Sequence, residues 1–365
     1  MMLAHRLSGV LFVAVAVLLA ACGGGEAGDT DQASAGDAEG GAGGEDMADG
    51  IIEIEMSDTP AITTGGVLMV AEGMGFDEEN GLSLERASYA GSAAQGEAIA
   101  AGGHEFGHIA DSTFATLYDA GVPIRVLSQS VDSSRQIQLV AREELGIESP
   151  EDLEGLTFGL TFGSGADVLL SRILDNAGID QAAVEKVDLT PPDIVSTYAR
   201  GDIDAYVTWP PALVEAQREV DSVVLHDSQD SYFPADSGPD QTVGTHILVW
   251  ATEDFIASNP EAVQRYFAMA RQTIDFINDP ESRPQAIDVI SETLDTDRDI
   301  VEQTVEEWIT YQLQIDDTML QNLEDTAQFL RERDALTQDP AVQEWFDTGP
   351  LKEFDASLIE TEVGG

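Results

Sequence analysis

From Ile51 to Ala251 the chain repeats one pattern: a short apolar run, a turn of small or polar residues, then a segment with apolar side chains at helical spacing. The runs predicted as strands are Ile51–Met56, Leu82–Tyr89, Glu105–Ala110, Ile124–Gln129, Ile137–Arg142, Thr157–Thr161, Val184–Leu189, Ala205–Thr208, Ser222–His226 and Thr245–Ala251. Helical spacing lies between them, as in Val67–Met74, Ala93–Ala101, Ala166–Ala177 and Ile194–Ala199. Alternating β and α units imply parallel sheets with helices on both faces. Beyond Asn259 the signal is nearly all helical. Asn259-Pro260-Glu261 has the form of a helix start with Pro in the first turn. Glu302–Leu313 and Met319–Arg331 carry long amphipathic patterns.

Two sheets and a helical tail predict an α/β body of two lobes with a cleft. The apolar fraction of 43 % is ordinary for a globular chain. The charge is not: 69 Asp and Glu oppose 16 Lys and Arg, a formal net charge of −53, with only two lysines, Lys186 and Lys352. Repulsion on this scale destabilises a compact state in dilute buffer. Salt screens it, the Debye length falling to about 3 Å at 1 M. An acidic, halophilic surface and a saline habitat are therefore expected. Nucleic acid is excluded as a partner, because phosphate contacts need clustered Lys or Arg. No calcium-loop pattern occurs, and the acids are spread along the whole chain.

The N-terminus has its own logic. Arg6 precedes the apolar run Val10–Leu19, which ends in Leu19-Ala20-Ala21-Cys22. A basic residue, a short apolar stretch and a small-residue cleavage site read as a secretory signal over residues 1–22. A membrane span would need about 20 apolar residues. Leu-Ala-Ala-Cys resembles the bacterial lipoprotein box, which implies lipidation of Cys22, the only cysteine. Residues 23–50 are mostly Gly, Ala, Asp and Glu with Met47 the only large apolar side chain, so a flexible acidic linker is expected. With its single Cys spent on lipid, the mature domain has no disulfide. The expected location is extracytoplasmic, held at a membrane by the lipid.

In open α/β sheets ligands bind at the carboxyl ends of strands, beside helix N-termini. Four turns there are rich in small donors. Thr63-Thr64-Gly65-Gly66 follows the first strand, and Gly91-Ser92 the second. Asp111-Ser112-Thr113 follows the third, and Gly163-Ser164-Gly165 follows Thr157–Phe162. Gly admits a ligand to the backbone, and the free N–H groups of a helix start suit an anionic group. Each turn alone equally satisfies plain helix capping. Trp209, before Pro210-Pro211, is placed to wall a cleft or to fill a core. Phe114, Phe162, Tyr198 and Tyr232 are weaker aromatic candidates. Trp308 and Trp345 in the tail read as core anchors.

Several segments together resemble the substrate-binding proteins of sulfonate, taurine and nitrate ABC transporters. They are Gly73-Met74-Gly75-Phe76 with Asn80-Gly81-Leu82, Ile147 to Gly155, Gly163 to Asp167, Leu189 to Asp193 and Gly201 to Pro211. The resemblance runs from about residue 60 to 290. It implies the type II periplasmic-binding fold with a helical C-terminal tail. One lobe would hold residues 51–142 and 245–365, the other 143–244. It also implies ligand-binding roles for Thr64, Gly65, Gly91, Ser92, Asp111, Ser112, Gly163, Ser164 and Trp209. Asp167 stands where the family often has His. A carboxylate from Asp111 near the cleft would favour a zwitterion such as an aminosulfonate over a bare anion.

The function implied is solute capture for an ABC permease, with a small anionic or zwitterionic solute as partner and no cofactor, metal or catalysis. Nitrate, bicarbonate or a thiamine-precursor pyrimidine are alternative solutes. A pyrimidine-synthesis-like enzyme on the same fold is the rival class, and it relies on a Cys-rich iron motif that one Cys cannot supply. A structural surface lipoprotein is the third reading. His104 and His108 are spaced as a metal pair on a helix would be, but they flank a strand-like segment. No Gly-x-Ser-x-Gly elbow or Ser/His/Asp set is present.

Overall fold

The structure is a computed structural model that describes residues 50–361 other than 243, together with residue 363. The predicted leader, Cys22 and all but the last residue of the linker lie outside the described residues. The chain runs β1 (Ile52–Asp58), α1 (Ile62–Met74), α2 (Phe76–Glu79), β2 (Leu82–Ser88), α3 (Ser92–Ala100), β3 (Phe106–Ala110), α4 (Asp111–Asp119) and β4 (Ile124–Asp132). It continues through β5 (Gln138–Arg142), β6 (Thr157–Leu160), α5 (Gly165–Asn176), β7 (Glu185–Asp188), α6 (Pro191–Arg200), β8 (Ala205–Thr208), α7 (Ala212–Glu219) and β9 (Ser222–His226). Then come β10 (Asp230–Phe233), β11 (Asp236–Pro239), β12 (His246–Thr252), α8 (Glu253–Ser258), α9 (Pro260–Asn278) and α10 (Arg283–Leu294). Last are α11 (Arg298–Gln303), β13 (Thr310–Tyr311), α12 (Asp317–Glu332) and α13 (Gly349–Asp355).

These strands form two sheets, ordered β13-β4-β12-β3-β1-β2 and β11-β10-β9-β5-β8-β6-β7. Both are mixed rather than purely parallel. β1 pairs parallel with β2 and β3, and β6 parallel with β7 and β8. β12 runs antiparallel to β3 and β4, and β5 antiparallel to β8 and β9. The reversal arises because β12 is where the chain returns to the first sheet. Its run Ile247-Leu248-Val249-Trp250-Ala251 is buried throughout, as a strand covered on both faces requires. β5 belongs to the second sheet, so the chain crosses between Asp132 and Gln138, before the strand that the sequence reading kept in the first lobe. Leu139 and Ala141 face one core cluster and Val140 the other, the mark of a central strand.

The two faces of the second sheet have separate cores. Leu139, Phe158, Leu169 and Val207 lie under α5, and Ile194, Tyr198, Tyr206 and Leu213 lie under α6 and α7. The first sheet shares one core with the tail, from Met56, Phe106 and Trp250 to Phe267 and Leu323. Trp345 is buried there, 5.6 Å from the Phe114 ring, and Trp308 is partly buried. α12 spans both sheets: Leu323 and Leu330 join the first core, whereas Phe329 joins the α5 core.

Three local departures have physical causes. α1 begins at Ile62, earlier than the predicted Val67, and absorbs Thr63 to Gly66. Close packing explains the glycines there. A Cβ on Gly66 would lie 2.1 Å from the Tyr311 hydroxyl, and one on Gly65 would lie 2.6 Å from Met69 Cε. The predicted helix Glu302–Leu313 breaks after α11 into a π turn, Thr304–Trp308, followed by β13. Tyr311 fixes the break by donating to Ile62 O at 2.5 Å. The hairpin β10–β11 is polar and acidic, so no apolar alternation announced it.

Gly107 and Gly91 test this packing. A Cβ on Gly107 would lie 2.2 Å from the backbone oxygen of Ser57, which the parallel sheet cannot move. Gly107→Ala is expected to lower unfolding free energy by about 1–3 kcal/mol or more. Gly91 has extended backbone and open space around it, so Gly91→Ala should stay within about 0.5 kcal/mol of wild type. Urea unfolding of both variants reads the difference, and equal stabilities would contradict the packing.

Candidate functional site

Parallel strands put the helices that follow them at one end of a sheet. After β1, β2 and β3, the N-termini of α1, α3 and α4 share the carboxyl end of the first sheet. After β6, β7 and β8, those of α5, α6 and α7 share the carboxyl end of the second. The crossovers join these two ends. β4 finishes at Asp132, opposite His246 where β12 starts, and Ile247 lies opposite Ala110 at the end of β3. β5 starts at Gln138, opposite Thr208 at the end of β8. Segments 132–138 and 239–246 therefore lead from one set of helix starts to the other.

The crossovers are tied together by buried polar groups. Ser133 N donates to Thr245 O at 2.9 Å, and Thr245 Oγ1 donates to Ser133 O at 3.0 Å. Thr245 N donates to Ser134 Oγ at 3.2 Å. His246 N donates to Asp111 Oδ2 at 3.0 Å, and Ser112 N donates to Asp111 Oδ1 at 2.6 Å. On the second-sheet side, a Cβ on Gly165 would lie 2.5 Å from Ile137 Cδ1 and 3.1 Å from Thr245 Cγ2. Asp111 and Ser112 at the start of α4, and Gly165 at the start of α5, thus flank one crossover, Thr245-His246.

The other singled-out residues have distinct surroundings. Ser92 begins α3, half-buried, with Gly91 at its N-cap. α3 packs beside α4, where a Cβ on Gly96 would lie 3.1 Å from Thr113 Cγ2. Ser164 caps α5, accepting from Ala166 N at 3.2 Å and donating to Thr161 O at 2.7 Å. Gly163 is exposed beside it with φ +70°, the left-handed region that favours glycine. Asp167 also closes on this turn, its Oδ2 accepting from Gly163 N at 3.4 Å and its Oδ1 from Lys186 Nζ of β7 at 3.2 Å. Trp209 follows Thr208 at the end of β8 and is partly buried against the α5 core. Of the weaker aromatics, Phe114 and Tyr198 are fully buried, whereas Phe162 and Tyr232 are exposed.

Thr64 and Gly65, expected in a turn that opens a helix, are buried in the first turn of α1. Thr64 O accepts from His108 Nδ1 at 2.9 Å, and Gly65 packs on Met69 and the Arg86–Asp58 ion pair. Asp111 is 3 % exposed, and each of its oxygens accepts a backbone N–H, so its carboxylate braces the wall. Burial pushes its pKa up to about 7.

Residues that sequence reasoning passed over hold this region together. His108 Nε2 pairs with the Tyr266 hydroxyl at 2.6 Å, and burial lowers its pKa to about 4. His246 pairs with Gln129 Oε1 at 2.8 Å and Asn322 Nδ2 at 3.0 Å. His108 faces Tyr266 whereas His104 pairs with Tyr89, so the two do not form a metal pair. Among the described residues no group of three His, Cys, Asp or Glu is placed to hold a metal ion. Only the apolar flanks of His246 hinted at its burial. Asn322 lies in an amphipathic helix with nothing to mark it.

The family profile described as NMT1/THI5 like matches residues 63–283. The taurine-binding periplasmic protein of Escherichia coli (strain K12) is 30 % identical over 201 residues, 55 % of this chain and 58 % of that protein. Among solved structures, the periplasmic aliphatic sulphonate-binding protein of Escherichia coli superposes with a TM-score of 0.68 at 16 % identity, over 86 % of this chain and 94 % of that one. A desulfurization enzyme shares the fold at 17 % identity, with a TM-score of 0.63 over 84 % of this chain and 99 % of that one. At these identities the structures establish the type II periplasmic-binding fold and leave the chemistry to the site.

Asp111 gives the wall a pH signature. The unfolded chain ionises Asp111 at its ordinary value, near 3.8, whereas the folded chain does so at about 7. Its contribution is therefore fully present below about pH 4 and lost as pH rises to about 7. Relative to Asp111→Asn, the wild type should lose stability across that interval, by no more than about 4 kcal/mol. Urea titrations at several pH values read the difference, and a constant gap would contradict it.

Proposed function

This chain belongs to the NMT1/THI5-like family, and on that premise we propose that it captures a small organic sulfonate or related anion outside the cytoplasm and delivers it to an ABC permease. The observation that carries the reading is the convergence on Thr245-His246 of helix starts from both sheets, those of α4 and α5. Each brings the positive end of its dipole, while Ser112 N is held by Asp111 Oδ1 and Ala166 N by Ser164 Oγ. A helix start binds an anionic head without a lysine or arginine, which suits a chain with so few. The first- and second-sheet halves act as hinged lobes, closing on the solute about the paired crossovers. Gly91, Ser92, Ser112, Gly163, Ser164 and Trp209 line the gap, and Thr64, Gly65 and Asp111 support it from behind.

With the Asp111 carboxylate spent on the wall, the argument for a zwitterion from that residue falls away. Selection then rests on the tetrahedral oxyanion and on apolar surface from Trp209 for the organic part. An alkanesulfonate and taurine are both candidates, and nitrate, with no organic part, is disfavoured. The lipid on Cys22 and the acidic leash hold the domain at the membrane beside its permease, and the acidic surface keeps it soluble in salt.

Calorimetric titration with ethanesulfonate, taurine and nitrate tests the solute class. Saturable binding of a sulfonate, weaker for nitrate, is expected. Ser92→Ala, which removes a hydroxyl that makes no hydrogen bond among the described residues, should weaken it about tenfold, the value of one hydrogen bond to a charged group. Tightest binding by nitrate, or no saturable heat from any of the three, would contradict the proposal. For the anchor, Cys22→Ser should move the protein from the membrane fraction to the soluble fraction, and unchanged membrane association would refute lipidation there.

A further inference from the structure

On the opposite face of the crossover from Gly165 lies a crevice of about 460 Å³, lined among others by Gln138, Gln217, Val224, Tyr232, Gln303 and Trp308. This volume suits a small ligand. Two of these residues, Gln303 and Trp308, come from the end of α11 and the π turn, and the others belong to the second-sheet half. Gln138 and Thr208 are register partners, so they share a face. That face is the one carrying Val140 and Tyr206, against which Trp308 packs. Ile137 points to the other face, into the α5 core. Gln138 and Val224 thus line the crevice from the α6–α7 side of the sheet, and Val223 lines it from the edge of β9.

The polar groups of the crevice are under-satisfied. Gln138 is 5 % exposed, and its side chain makes only one long hydrogen bond, 3.5 Å from Nε2 to Arg135 O. The Gln217 amide is half-buried and makes no hydrogen bond among the described residues. Thr208 Oγ1, the register neighbour of Gln138 behind the crevice wall, is buried without a partner. Buried polar groups are ordinarily paired, so the weakly bonded amide of buried Gln138 at the crevice wall is open to a further partner. The nearby carboxylate of Asp227 is not available. It accepts from Arg135 Nη1 at 3.1 Å, the Tyr232 hydroxyl at 2.9 Å, and the backbone N–H groups of Gln229 at 3.0 Å and Asp230 at 2.8 Å.

We propose that this crevice is a second binding site, for a small neutral polyhydroxylated molecule. The residues that line the crevice include no Lys or Arg for an anion and place the Asp227 carboxylate in its wall, and a cation would find that carboxylate already paired. Hydroxyl groups donate and accept as the amides of Gln138, Gln217 and Gln303 do, and the C–H face of such a molecule stacks on Tyr232 or Trp308. Because its walls come from both halves, filling the crevice is linked to their relative placement, and reciprocally to whatever the other gap holds.

The test is titration of the full chain with glucose and with myo-inositol, without any sulfonate present, so that its failure leaves the solute proposal untouched. Saturable heat with a matching change in tryptophan fluorescence is expected for at least one. Gln217→Leu, on a half-exposed helix position, and Gln138→Leu, inside the strand, should each weaken binding about tenfold. Circular dichroism checks that both variants fold. Absence of saturable binding for both polyols, or binding unchanged in Gln217→Leu, would overturn the proposal.

Discussion

The hydrogen bonds between Ser133 and Thr245 hold the crossovers that join the two sheets. They pair backbone with backbone and hydroxyl with carbonyl across residues that are almost wholly buried. A two-strand connection with these bonds intact turns as a unit, whereas two loose strands would let the halves slide. Buried polar pairs of this kind are costly to break, because each lost partner leaves an unsatisfied group away from water. Asp111 extends the lock into the first sheet, and the close approach of Gly165 to Ile137 and Thr245 extends it into the second. The same few residues thus connect the halves and set how the helix starts face each other.

The scarcity of cations gives the charged contacts a pattern. Most ion pairs lie at the surface, where each is worth little and salt weakens it further. Arg86 is different. It meets a fully buried Asp58 side chain at 2.6 Å beneath the start of α1, and Ser88 also donates to that carboxylate. Arg218 reaches from α7 to Asp297 and Asp299 at the start of α11, so one of the few arginines bridges the second-sheet half to the tail. Asp111 and Asp227 are also buried and hydrogen-bonded, and most of the other acids are left to water. A fold organised in this way takes its stability from its cores.

The sequence was most readable where burial is one-dimensional. Ala205–Thr208 and Ser222–His226 stand as predicted, because each is a bounded apolar run beside turn residues. It was less readable where contacts come from far along the chain. Thr310-Tyr311 reads as helix, yet Tyr311 reaches Ile62 and closes the packing over Gly66, which ends the helix early. Gly65 and Gly66 read as part of a donor-rich turn, and the tight helix contact at each is not announced by the letter alone. Asp111 stood out as a polar residue at a strand end, but nothing local shows that His246 donates to it across 135 positions. The helix starts at Ser92 and Ser164 were legible from capping chemistry alone. The crevice behind Gln138 was not, since its amides come from three separate elements with no shared pattern.

The central claim is that the crossovers let the two halves close on a small solute. Spin labels at Ala93→Cys on α3 and Asp193→Cys on α6, in a Cys22→Ser chain, report the separation of the two sets of helix starts, and both positions are exposed. Pulsed dipolar spectroscopy with and without a sulfonate that binds by calorimetry gives the most direct reading. The distance distribution should shorten and narrow when the solute saturates. A distribution that stays the same at saturation would contradict closure about the Ser133–Thr245 pair.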